Sequence, residues 1–217
     1  MIIYSPENII PERIAEAEKI LSPISQKHCF ITGSFLYKEN YKDIDIFVIT
    51  RTKKKITLSE KKAKVTVIDF NELYSLFYHS IAQSCISKSI LPKRPLKVTF
   101  SDYWQVINEA IPTLLNQKNK FRKEVRSLVL YTEYLKTGEV LDTFKLDQKI
   151  RGFKDYKQIL QYVTEEVPRI ARDNIKASYL RRFFYTQAGY YKNIKEYRAQ
   201  SFLYQLTHEV TREAAHG

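Results

Sequence analysis

Asp43 and Asp45 stand two residues apart in "DIDIFVIT", a run that otherwise reads as an apolar strand. Strand residues two apart point to the same face, with roughly 7 Å between Cα atoms. Two carboxylates so placed repel, and burial sharpens the repulsion unless a cation lies between them. A divalent metal removes the conflict. Magnesium favours carboxylate oxygens together with substrate phosphates, and a pair of such ions clamps the attacking and leaving oxygens of a phosphoryl displacement. Metal-assisted phosphoryl transfer is the chemistry this pair suits.

Such a site must also hold a phosphate chain. Gly33-Ser34 ends the preceding apolar run "HCFIT". A glycine there lets backbone approach phosphate closely, and the serine offers a hydroxyl and a cap for a following helical turn. Lys42, beside the acid pair, is placed to touch phosphate.

These motifs need strands that carry them. "HCFIT", "DIDIFVIT" and "VTVIDF" read as three β segments, and "LKVTF" (96–100) as a further one. A helix is predicted over 11–21, with Pro11 at its start, and another through "NELYSLFYHSIAQSCISKSIL", where Leu73, Leu76, Phe77 and Ile81 recur at helical spacing. "RTKKKITLSEKKAK" reads as a charged connection with a short edge strand. Beyond residue 100 the pattern is helical throughout. Ser101 or Asp102 caps one helix, Gly138 stops another, and the last helical stretch breaks near Gly189. The expected fold class is α+β: a small mixed-sheet domain (1–98) followed by an all-α helical bundle (99–217).

The stretch from Gly33 to Ile46 resembles the nucleotidyltransferase superfamily, which includes DNA polymerase β and the minimal and aminoglycoside-type enzymes. Their signature is an apolar residue, Gly, Gly or Ser, a spacer, then Asp, apolar, Asp or Glu, apolar. Here it stands as Gly33-Ser34, eight residues, then Asp43-Ile44-Asp45-Ile46. The spacer is slightly short for the family, which implies a truncated helix after the turn. The resemblance implies magnesium, with manganese as its substitute, a nucleoside triphosphate on Gly33 and Ser34, and metal held by Asp43 and Asp45. A third carboxylate is expected. Asp69 in "VTVIDF" is the acidic candidate, as metal ligand and as the group that deprotonates an acceptor hydroxyl, while alignment with the family alternatively puts Thr66 there. Thr66 and Asp69 fall on opposite faces under strand alternation, so Asp69 needs a bulge or a strand end to reach the metals. The acceptor, whether small molecule, RNA or protein, is not written in the sequence. Two other readings stay open: a fold-retaining protein that binds nucleotide or nucleic acid without catalysis, and an antitoxin-type enzyme that modifies protein.

The formal net charge is +12 and the pI about 9.5, with the excess spread over both halves of the chain, so a polyanionic partner such as nucleic acid is compatible. Arg51, Lys53, Lys54, Lys55, Lys61, Lys62 and Lys64 concentrate after the acid pair, and Arg181, Arg182, Lys192, Lys195 and Arg198 interleave with aromatic residues near the end. The bland alternatives are a solvated connection and a helical core stripe. Cys29 and Cys85 lack metal-site spacing and read as reduced thiols, and His28, His79, His208 and His216 form no metal motif. There is no leader-like start and no run approaching eighteen apolar residues, so a cytoplasmic protein without membrane contact is expected.

Overall fold

The computed structural model describes residues 1–51, 60–117, 121–175 and 177–216. Lys53, Lys54 and Lys55, most of the connection proposed to hold an edge strand, and the Arg181 side chain lie outside the described residues. The chain divides into two compact units. One comprises Met1–Lys97 and Val140–Asp147, the other Val98–Glu139 and Gln148–Gly217.

The first unit is built on a five-stranded mixed sheet of β1 (Ile2–Tyr4), β2 (Cys29–Thr32), β3 (Ile44–Ile49), β4 (Ala63–Ile68) and β5 (Cys85–Ser87), in the order β1-β5-β2-β3-β4. Only the β3–β4 pair is parallel. Alternation sends Ile31, Ile44, Ile46, Val48 and Ile86 to one face. There they pack with Ala17 and Leu21 of helix α1 (Glu12–Leu21) and with Phe35 and Leu36 of the single-turn helix α2 (Ser34–Tyr37). Phe30, Phe47, Ile49, Ile68 and Cys85 face the other way, against Leu73 and against Tyr78 and Ile81 of helix α3 (Leu76–Gln83). Phe30 and Phe47 stack across the β2–β3 pair with ring centroids 5.4 Å apart. Each such side chain, buried from both sides, contributes about 1.5–3 kcal/mol.

Three sequence expectations change here. The helix predicted over 71–91 stops at Gln83, because Cys85–Ser87 enters the sheet between β1 and β2, where Ile86 is fully buried. The segment "LKVTF" is not a strand. Pro92 and Pro95 break any ladder before it, and Thr99 starts helix α4 (Phe100–Asn116) instead. The cap is therefore Thr99 rather than Ser101 or Asp102: its hydroxyl accepts from the Asp102 N–H at 3.2 Å, and Asp102 Oδ2 accepts from the Thr99 N–H at 2.8 Å. The expected helix break near Gly189 is present, with α9 ending at Tyr191 and the next helix starting at Tyr197.

The second unit contains α4, α5 (Phe121–Glu124), α6 (Arg126–Thr137), α8 (Tyr156–Asn174), α9 (Ala177–Tyr191) and α10 (Tyr197–His216), while α7 (Thr143–Gly152) is divided between the units after Asp147. Two polar pairs lie within its core. Trp104 donates its indole N–H to Tyr191 Oη at 2.9 Å, and the Tyr103 and Thr132 hydroxyls lie 2.7 Å apart. Burial raises the Tyr103 and Tyr191 hydroxyls above the usual tyrosine range. Within the aromatic-basic stretch, Phe184 and Tyr191 are core residues, whereas Tyr185 and Tyr197 are exposed. Among the described residues no helix is long and apolar enough to cross a membrane. Thr99→Ala removes half of the capping box, and urea unfolding is expected to show a loss of about 1 kcal/mol.

Candidate active site

The turn after β2 and the start of β3 meet because these strands pair antiparallel, with Thr32 opposite Asp45. Gly33 follows Thr32 with φ +84° and ψ −164°, a region open in practice only to glycine. A Cβ built on Gly33 would lie 3.1 Å from Asp45 Oδ2, so the missing side chain is also what lets this carboxylate sit against the turn. Ser34 opens α2, whose four residues agree with the short spacer, and Gly33 and Ser34 carbonyls accept from the Leu36 and Lys38 N–H groups. One turn of helix adds little dipole, so any phosphate held here meets backbone and the Ser34 hydroxyl.

Asp43 lies immediately before β3 and Asp45 is its second residue, and both are half-buried. Lys42 is exposed beside them. Two carboxylates two residues apart, one of them against a side-chain-free turn, suit magnesium that takes its remaining oxygens from triphosphate and water. The described residues contain no group of three His, Cys, Asp or Glu arranged to hold a metal.

Asp69 does not join the pair. β3 and β4 run parallel with Asp45 beside Lys64 and Ile49 beside Ile68, which puts Asp69 five residues further along, about 16 Å at the usual strand rise. Its carboxylate instead accepts from the Asn71 N–H at 2.6 Å, while Glu72 Oε2 accepts from the Asp69 N–H, closing the 3-10 turn Glu72–Tyr74. The β4 residues on the face of Asp45 are Lys64, Thr66 and Ile68, none of them acidic, and the first two are exposed. Asp69, expected as a metal ligand or base beside Asp43 and Asp45, stands instead beyond the opposite end of the parallel β3–β4 pair.

What the sequence did not disclose is the segment Val140–Asp147. Ser80 Oγ donates to the Leu141 carbonyl at 2.6 Å, and the Thr143 hydroxyl lies 3.4 Å from that of Thr32, which itself donates to the Ser84 carbonyl at 2.7 Å. Phe144 meets the Tyr37 ring edge-on at 5.3 Å, and Lys38 pairs with Asp147 at 2.6 Å. Residues on both sides of Gly33-Ser34 are thereby tied to one strap. A second polar threonine beside Thr32 carries no local motif, so no sequence signal pointed to it.

The cysteines are not candidates for covalent chemistry. Cys29 and Cys85 are fully buried in opposite-face clusters of the sheet, and burial pushes the Cys29 thiol up to about 11 and the Cys85 thiol higher still. No family model, no curated protein and no solved structure matches the chain. Gly33→Ala places a side chain in a glycine-only conformation and against Asp45. Denaturant titration is expected to show a loss of about 1–3 kcal/mol, whereas Gly152→Ala, whose Cβ would meet nothing within 4 Å, costs far less.

Proposed function

We propose that the chain is a magnesium-dependent nucleotidyltransferase that moves a nucleoside monophosphate from a triphosphate to an acceptor hydroxyl. The observation that carries this reading is the closeness of the Gly33 turn to Asp45, whose Oδ2 lies 3.1 Å from where a Cβ on Gly33 would stand, so that a side-chain-free turn meets an acidic strand start. Asp43 and Asp45 would hold the metal, which, when bound, neutralises charge on the triphosphate. Gly33 leaves room for the phosphates, Ser34 Oγ donates to a non-bridging oxygen, and Lys42 adds positive charge at the rim. The acceptor oxygen forms a bond to the α-phosphorus as the bond to the bridging oxygen breaks. Pyrophosphate leaves with that electron pair, and the acceptor proton passes to water. Orientation and charge placement provide the acceleration.

A second reading, a nucleotide-binding protein without transferase activity, draws on one specific observation: Lys64 and Thr66 occupy the neighbouring strand where a third acid would stand. The two readings separate on pyrophosphate release. With magnesium, labelled triphosphates and cell extract, Asp43→Asn and Asp45→Asn are expected to reduce pyrophosphate release at least about a hundredfold. Asp69→Asn is expected to keep it within a few-fold, with a lowered Tm from the lost turn. Triphosphate binding without pyrophosphate release by the unaltered protein favours the second reading, and an inactive but folded Asp69→Asn overturns the assignment of Asp69 to the turn alone.

A further inference from the structure

Phe77 lies on α3, its ring 5.8 Å from that of Phe47 and therefore on the same face of the sheet as Asp45, yet it is 48% exposed. An aromatic ring held rigidly from below and open above is a stacking surface. Next to it in sequence, Tyr74 holds two cations at the surface, Lys97 Nζ at 4.7 Å and Arg94 Cζ at 5.9 Å from its ring centroid. The Lys97 N–H donates to the Tyr74 carbonyl at 3.0 Å, which fixes the Pro92–Lys97 segment there. Among the described residues neither cation forms an ion pair with a carboxylate. On β4, Lys64 and Thr66 are exposed on this same face, beside Asp45 and Phe47 respectively. Over residues 60–97 there are seven Lys or Arg against three Asp or Glu. Those three acids, Glu60, Asp69 and Glu72, each accept from a nearby backbone N–H.

We infer that this face of the first unit binds a single-stranded polynucleotide, with a base stacked on Phe77, phosphates on Arg94, Lys97 and Lys64, and the terminal hydroxyl toward Asp43 and Asp45. Stacking is indifferent to base identity but requires an unpaired base, and fixed cations track a backbone. A duplex offers the cations its phosphates but keeps its bases from Phe77. As an acceptor assignment the inference rests on the nucleotidyltransferase reading. As a binding surface it does not.

The test is fluorescence anisotropy of labelled single-stranded RNA, single-stranded DNA and duplex oligonucleotides, without magnesium or triphosphate. Single strands of one or both sugars are expected to bind more tightly than duplex. Phe77→Ala is expected to weaken binding roughly 5- to 100-fold. Arg94→Ala with Lys97→Ala is expected to lower the slope of log affinity against log salt by roughly 1.4. Lys19→Ala on α1 serves as the comparison expected to retain binding, and circular dichroism checks each fold. Equal binding of duplex, or binding unmoved by both the Phe77 and the Arg94/Lys97 changes, overturns the surface. With magnesium and triphosphates added, a product one nucleotide longer supports the acceptor role. Intact binding without extension, alongside pyrophosphate release on another acceptor, overturns the acceptor role and leaves the nucleotidyltransferase reading standing.

Discussion

The antiparallel pairing of β2 with β3 is the constraint on which the candidate site depends. It sets Thr32 opposite Asp45, and the chain must then leave β2 through Gly33 directly against an aspartate carboxylate. Register in a sheet is all-or-none: a slip of one residue would turn Asp45 into the apolar layer of Ile31 and send Ile46 out of it to the opposite face. Phe30 stacked on Phe47 and Ile31 beside Ile46 hold that register from both faces. The apolar core thus fixes the position of the polar residues it excludes.

Much of this was legible from residue order. The strands around Cys29–Thr32 and Ile44–Ile49 follow from short apolar runs bounded by turn residues, and the Gly33-Ser34 turn and Asp43-Ile44-Asp45 spacing stand in plain view. The mixed sheet and the helical remainder were likewise visible in the change of periodicity near residue 100. The proposal of a nucleotidyltransferase rests on local motif and geometry together. Illegible features were those set by strand direction and by distant pairing. "VTVIDF" shows a strand ending in an acid, but only the parallel pairing with β3 reveals which end of the sheet receives it. "CIS" is too short to announce itself, and becomes a strand because Ile86 finds space between β1 and β2.

The departure at Asp69 also alters the chemistry that the residues must perform. A carboxylate at the strand end that caps a turn is already engaged with a backbone N–H. In the proposed reading any metal is left to Asp43 and Asp45, and the neighbouring strand brings Lys64, a cation, beside Asp45. A lysine there suits an anionic ligand better than a second metal.

The return of Val140–Asp147 to the first unit gives that unit a discontinuous chain. A fragment ending at Lys97 would contain every described strand and the whole acidic motif, yet would leave Ser80, Thr32, Tyr37 and Lys38 without the partners that Val140–Asp147 supplies. Sequence contiguity and folding unit therefore do not coincide. To obtain the sheet as a separate piece, a gene would have to be cut twice and rejoined by a linker from Lys97 to Val140, a rearrangement rather than a truncation.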